Sequence, residues 1–413
     1  MQQKSDNEKF ITKPLLVIFL TILVDLIGFG IVIPLLPFYA ERFDASPFDV
    51  GVLVAVYSLM QFIFSPILGS LSDKYGRKPI LLISIAGSAI GYLTIGLAGS
   101  LLMVFVGRII GGITAGNLST AQAYIADVTS RENRAKGMGL FGMAFGFGFI
   151  IGPALAAILG HYGEEVPFFV AAGLATINTF LIFKFLPETI SDANRKEYQH
   201  KSRFRELMDS FNQPRLAVIN LQYFLLIVAF SMMTTAFPYF TKFNYGYTVI
   251  ETGYLLAYVG FIAIIMQGMI FGRLANRFGE SKLILVGCVL LVGSLAAVPF
   301  VTQESVGLIG ILIGTGLFAA GNSLASPSLT SLASKSASEA EQGRTMGVMQ
   351  SGASLARVVG PAICGVLLNN ANNKVDAATI RQNFWTAAAI MLIAGIVSVY
   401  FHFKFESDPV DFS

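Results

Sequence analysis

Apolar runs of roughly 20 residues recur along this chain from Leu15 to Phe403, broken by short polar turns. A helix of that length rises about 30 Å, the thickness of the hydrocarbon layer of a bilayer. Twelve runs can be traced, over residues 15–37, 50–72, 79–98, 101–126, 137–159, 168–186, 216–240, 252–275, 283–300, 306–326, 346–368 and 384–403. Composition agrees, with 54% hydrophobic residues and only 13% charged, where soluble domains carry about a quarter. So few charges cannot cover a surface exposed to water. The expectation is an all-α membrane protein with twelve transmembrane helices, its lipid bilayer a permanent partner.

The net charge of +3 matters less than where the basic residues sit. With a cytoplasmic N-terminus, Lys74, Arg77, Lys78, Arg131, Arg134, Lys136, the Arg195 to Arg215 cluster, Arg273, Arg277, Lys282, Lys335, Arg344 and Lys404 all face inward. Only Arg42, Lys242, Lys374 and Arg381 face out. This is the positive-inside bias, and it predicts a multi-pass protein of the inner (plasma) membrane with both termini cytoplasmic. Basic residues dispersed over so many loops do not form a nucleic-acid surface. The first apolar run is too long for a signal-peptide core and contains Asp25, so it reads as a retained helix. Cys288 and Cys364 lie within apolar runs and read as small packing residues.

The longest polar stretch, 187–215, divides the chain in two. The expected layout is a cytoplasmic N-terminus at 1–14, a six-helix bundle at 15–186, a cytoplasmic loop at 187–215, a second six-helix bundle at 216–403 and a tail at 404–413. The halves resemble one another. Gly69-Ser-Leu-Ser-Asp-Lys-Tyr-Gly76 returns 203 positions later as Gly272-Arg-Leu-Ala-Asn-Arg-Phe-Gly279, and Ala115-Gly-Asn117 returns as Ala320-Gly-Asn322. Gly152-Pro153 returns 208 positions later as Gly360-Pro361. Such a repeat implies two pseudo-symmetric bundles facing each other across a central cavity, as alternating access requires. No phosphate-binding loop, HisGluxxHis segment or Cys/His cluster occurs, and His161, His200 and His402 fall at helix ends or in loops. The reading is therefore no enzyme, no cofactor and no metal site.

Three ionisable residues lie clearly at membrane depth, Asp25, Arg108 and Arg357. A charge there costs roughly 2.5 to 3.5 kcal/mol on insertion scales, so each is expected to face a cavity or a partner. Tyr57 and Gln61 share a face of the second helix, and Asn117, Gln122, Gln267 and Asn322 are further candidates for a polar cavity lining. Intramembrane amides also bond neighbouring helices, and both uses stay open for each. Gly142 with Gly146, and Gly148 with Gly152, form two small-residue ridges on the fifth helix, which Pro153 bends. These ridges are expected to pack the two bundles together.

These residues resemble the signatures of the major facilitator superfamily, and within it the drug:proton antiporters that include the bacterial tetracycline exporters. Gly69-x-x-x-Asp73-x-x-Gly76-Arg77-Lys78 is similar to the superfamily's cytoplasmic loop signature, and Arg108-Ile-Ile-Gly-Gly112 to the proton-coupling segment of the fourth helix. Asp25-x-x-Gly-x-Gly-x-x-x-Pro-x-x-Pro resembles the drug-exporter first helix, and Gly142, Gly146, Gly148, Gly152 and Pro153 the antiporter segment of the fifth, except that its closing glycine pair reads Ala156-Ala157. The resemblance implies that Asp73 faces the start of the eleventh helix near Gly347 and that Arg77 pairs with Asp127. Both contacts are expected only with the cytoplasmic side closed, as a conformational latch.

The chain departs from the tetracycline exporters where they carry an acid, a histidine and an acid, which here read Gly91, Ala263 and Leu291. Metal-chelated substrates prefer hard oxygen or imidazole ligands, so the expected cargo is an amphiphilic small molecule without a metal. The function implied is proton-coupled efflux by a monomer, with Asp25 and Arg108 coupling the proton. A proton symporter or facilitator for one metabolite is the alternative. A non-transporting receptor would have no use for an acid at mid-membrane.

Overall fold

The computed structural model describes residues 12–129, 134–189, 213–336 and 342–405. Most of the expected N-terminal, central (187–215) and C-terminal cytoplasmic segments therefore lies outside the described residues. Within them, twelve helices are long and apolar enough to cross a membrane. They are α1 Lys13–Glu41, α2 Pro47–Tyr75, α3 Arg77–Gly96, α4 Leu101–Val128, α5 Arg134–Gly160, α6 Val166–Phe185, α7 Pro214–Tyr245, α8 Val249–Phe278, α9 Glu280–Phe300, α10 Gly307–Ser336, α11 Gln342–Leu368 and α12 Ala377–Phe405.

Most helices outrun their apolar cores, because a cap and not the last apolar residue sets where a helix starts. Ser46 and Asp49 cap α2 reciprocally, with Asp49 N to Ser46 Oγ at 3.2 Å and Ser46 N to Asp49 Oδ2 at 2.9 Å. Thr248 and Glu251 do the same for α8. Asp376 accepts from Thr379 N at 2.8 Å, so α12 begins at Ala377, seven residues before its expected start at 384. Two helices are interrupted: α4 breaks at Ala115-Gly116, and α8 carries a π-helical turn at Met266–Ile270.

The repeat in the sequence is a repeat in packing. In the first half α1 lies against α5 and α6, and α3 against α4 and α6; in the second, α7 lies against α11 and α12, and α9 against α10 and α12. Gly76 and Gly279 occupy equivalent turns with φ of +107° and +80°, a region in which a side chain is strained. Across the molecule α2 meets α11 and α5 meets α8, again as equivalent pairs.

These two inter-bundle seams close at the end far from the termini. A Cβ on Gly51 of α2 would stand 2.6 Å from the carbonyl oxygen of Pro361 and 2.7 Å from Gly365 Cα. One on Gly253 of α8 would stand 2.6 Å from the carbonyl oxygen of Pro153 and 2.9 Å from Ala157 Cβ. The seal is thus built twice, each time from a glycine against a Pro-x-x-x-small step, and Lys242 pairs with Glu41 across the bundles at the same end. At the termini-bearing end the seams diverge. Gly268 and Gly272 on α8, and Gly347 and Gly352 on α11, have open space where a side chain would stand. The described residues therefore show a molecule closed at the far end and open at the end bearing its termini.

The glycine ridges of α5 are divided in a way the spacing does not foretell. Gly148 and Gly152 pack on Leu26, Ile27 and Gly30 of α1, inside the first bundle, whereas Gly146 faces Ile264 of α8. The expectation that both ridges join the bundles is corrected for Gly148 and Gly152, because a spacing of four fixes which glycines share a face but not which neighbour that face meets. Of the other pair, Gly146 meets α8, while Gly142 lies outside the residues whose surroundings are described.

Gly51→Val and Gly253→Val should each force the far end apart, since the obstructing atoms are backbone. Double electron–electron resonance between labels on the α1–α2 and α7–α8 turns should show longer distances in both variants. Distances unchanged from wild type would show that the seams tolerate bulk.

Candidate translocation site

The α4 break is the local event from which the site is built. Ala115 and Gly116 interrupt the helix, and the carbonyl of Ala115 accepts from Gln61 Nε2 of α2 at 3.2 Å. Ser119 Oγ donates to the carbonyls of Gly116 at 2.9 Å and Ser65 at 3.3 Å. Gly116 packs so closely that a Cβ would meet Ser65 Cα at 2.9 Å. The helix restarts at Asn117, which is buried and brings its amide within reach of the Asp25 carboxyl on α1. Gln61 thus serves the break, the second of the two uses open to an intramembrane amide.

Arg108 is 3% exposed, donates from Nε to the carbonyl of Leu53 at 3.1 Å, and stacks 4.1 Å over the ring of Tyr57. The described ion pairs are Arg42–Glu165, Arg77–Asp73, Arg77–Asp127, Lys242–Glu41 and Lys335–Glu280. Neither Arg108 nor Asp25 enters one, so the acid is not held as a strut against that arginine. Arg357 of α11 makes a 3.3 Å contact from Nη2 to Ser354 Oγ, and its Nε is buried without an acceptor. Tyr57 stands where the charges of Asp25, Arg108 and Arg357 all reach it.

Tyr92 of α3 was not singled out by its sequence context. Its ring occupies the space left by Gly28, one turn beyond Asp25, where a Cβ would meet Tyr92 Cζ at 2.7 Å. The signal available was the glycine, whose partner no spacing names. Below this cluster a file of rings crosses the molecule: Tyr57 to Phe29 at 6.1 Å, Phe29 to Phe149 at 6.1 Å, Phe149 to Phe230 at 6.2 Å and Phe230 to Phe318 at 5.9 Å. On its far side Ile33, Pro153, Met233 and Leu256 enclose about 20 Å³, room for about one water. The rings form a closed floor.

The other amides are dispersed. Gln267 is exposed in the π-helical turn of α8 with Nε2 3.5 Å from Ser323 Oγ, and Gln122 is half-buried on α4. Asn322 lines a void with Leu226, Leu291 and Met391, inside the second bundle. Gly91 presses on α4, where a Cβ would meet the carbonyl oxygen of Gly107 at 3.0 Å, so α3 has no room there for an acidic side chain.

At the termini-bearing end Arg77 is a hub. Its guanidinium donates to Asp73, to Ser72 Oγ at 2.7 Å and to Asp127 Oδ2 at 3.1 Å. Glu188 caps α3, accepting from Arg77 N at 2.9 Å and Lys78 N at 3.1 Å, against the helix dipole. The sequence offered Glu188 only as part of a polar stretch. All these partners belong to the first bundle, so the Arg77–Asp127 pair exists while this end is open. The expectation that it forms only on closure is corrected; Gly69 and Gly76 are buried beside it, whereas Gly347 on α11 faces open space.

Two six-helix bundles around a polar cluster that opens to one side and is floored on the other define a membrane transporter. The chain belongs to the major facilitator superfamily, whose family model matches residues 18–361 and 306–411. It is 30% identical over 406 residues to the tetracycline resistance protein, class H, of Pasteurella multocida, covering 94% of this chain and 96% of that one. It is 29% identical over 404 residues to multidrug resistance protein 2 of Bacillus subtilis, covering 96% and 97%. Among solved structures, the bacterial homologue of the human lysosomal transporter Spinster superposes with a TM-score of 0.80 at 14% identity over 97% of this chain and 98% of that one.

Gln61→Leu should leave the Ala115 carbonyl unsatisfied in a buried break, costing roughly 1 to 3 kcal/mol. A lowered melting temperature in detergent, with substrate affinity retained, is the expected result. An unchanged melting temperature with weakened binding would return Gln61 to the cavity lining.

Proposed function

We propose that this transporter exports small amphiphilic compounds from the cytoplasm in exchange for protons, acting as a monomer with both termini cytoplasmic. Relatives named for tetracycline and multidrug resistance support export, and the distribution of basic residues supports the orientation. The observation that carries the reading is Asp25. Among the described residues it is the only acid in the interior of a membrane-crossing helix, it has no cationic partner within an ion pair, and it stands by Asn117. An amide serves both forms of a carboxyl, its NH2 donating to the carboxylate and its oxygen accepting from the acid. Asn117 Oδ1 is buried without a partner in this structure.

In the proposed cycle a proton reaches Asp25 from outside and a cationic or hydrogen-bonding substrate displaces it from the cytoplasmic side. Competition for one site links the two fluxes, because neither occupant is bound well beside the other. Arg108 acts indirectly, fixing Tyr57, whose ring it covers. Asp73, now held by Arg77, and Gly347 in the first turns of α11, which is exposed, are the halves of a latch that meets only when the cytoplasmic end closes. The Arg77 contacts to Asp127 and Ser72 keep the first-bundle half in place throughout. The remaining amides, Gln122 and Gln267, border the opening.

Asp25→Asn keeps size and hydrogen bonding but removes titration. It should abolish gradient-driven efflux from cells or uptake into everted vesicles while substrate binding persists, and it should abolish proton release on substrate binding in weakly buffered detergent. Proton release undiminished in the folded variant would place the proton elsewhere. Solute moving with the proton would favour a symporter.

The absence of room at Gly91 and the apolar Ala263 and Leu291 bear on the cargo. No Mg²⁺-dependent tetracycline accumulation is expected in proteoliposomes of the purified protein. Robust metal-dependent uptake would show that the chelate is coordinated by other residues.

A further inference from the structure

Arg108 and Arg357 are both arginines at membrane depth, yet the structure treats them differently. Arg108 is held by a carbonyl at its Nε and by a ring beneath its guanidinium, both within its own bundle. Arg357 is partly buried, enters no ion pair among the described residues, and has the Ser354 hydroxyl against its Nη2. Its Nε is shielded from water with no acceptor. Ser354 on its own helix is in contact with it, and Tyr57 on α2 and Tyr223 on α7 lie within electrostatic reach. A guanidinium whose described acceptor is one hydroxyl has its charge balanced by no anion, and a planar carboxylate is what such a fork binds by two parallel hydrogen bonds. An unpartnered charge at this depth costs several kcal/mol of desolvation unless something in the cavity supplies its counter-ion.

We propose that Arg357 is a carboxylate-recognition residue, so that the cavity takes zwitterionic amphiphiles, the carboxylate docking on Arg357 of the second bundle and the basic group on Asp25 of the first. The inference rests on the export reading for the role of Asp25. Tyr57 lies within electrostatic reach of both. A ligand spanning them touches both bundles at once, which a compound with a single charge does not require.

A matched pair tests this, Nε-dansyl-lysine, a zwitterion, and its methyl ester, a cation, titrated by fluorescence into the purified full-length protein. The free acid is expected to bind wild type about tenfold or more tightly than the ester; Arg357→Gln should bring the acid down to the ester's affinity and leave the ester within about twofold. Arg357→Lys should keep part of the preference, which guards against a folding artefact. Equal binding of acid and ester by wild type, loss of both dyes alike in Arg357→Gln, or no binding of the acid would overturn the proposal. Proton-driven uptake of the ester into everted vesicles separates the two readings. Uptake of the ester without acid-selective binding sinks only this inference, whereas acid-selective binding without proton-driven uptake of either dye sinks only the export reading.

Discussion

Hydrocarbon supplies no hydrogen-bond partner, so every polar group at membrane depth has to be answered by the protein itself or by what enters its cavity. That constraint orders the centre of this molecule. The broken α4 exposes a carbonyl, and Gln61 answers it from α2. Arg108 is answered by the Leu53 carbonyl and the Tyr57 ring. Asp25 has an amide and no cation, and Arg357 has a hydroxyl and no anion. Of the three charges at this depth, the two that lack both an ion pair and the carbonyl-and-ring setting of Arg108 are one acid and one base, on opposite bundles.

The constraint also explains why the two bundles meet through glycine. Backbone carbonyls of helices are already bonded, so helices in lipid gain most by approaching until van der Waals contact is continuous. Gly51 against Pro361 and Gly365, and Gly253 against Pro153 and Ala157, bring α2 to α11 and α5 to α8 at the far end. In each case the glycine lets its helix come up against the proline's own carbonyl oxygen, a place that any side chain would obstruct. Toward the other end α8 and α11 carry Gly268, Gly272, Gly347 and Gly352 with nothing against them. Glycines without neighbours in one conformation are positions at which close approach remains sterically free in another.

Much of the architecture was legible in residue types. Apolar run length set the number of helices, and the 203- and 208-residue offsets paired Gly76 with Gly279 and Pro153 with Pro361, which occupy equivalent places. Asp25, Arg108 and Arg357 were visible because a charge inside an apolar run is costly. What stayed hidden were contacts between helices. Nothing along α3 marks Tyr92 as the side chain that fills the space at Gly28, and nothing in a polar stretch marks Glu188 as the cap of α3. A period of four put Gly148 and Gly152 on one face without saying that the face meets α1. Helical spacing carries information about one helix, and these are properties of two.

The arrangement of Arg77 bears on how such a molecule switches. A hub whose partners Asp73, Ser72 and Asp127 all lie in one bundle cannot by itself report whether the bundles are together. It can, however, hold Asp73 near the end of α2 in a fixed place for the proposed approach of α11. The dipole at the start of a helix favours an anion within about a turn, so the attraction between Asp73 and α11 acts only over the last few ångströms of closure. A short-range contact of this kind does not pull the bundles together from afar. In the proposed cycle it lengthens the life of a closed state brought about by substrate and proton exchange at Asp25, so that the choice of conformation falls to Asp25 and its duration to the loop.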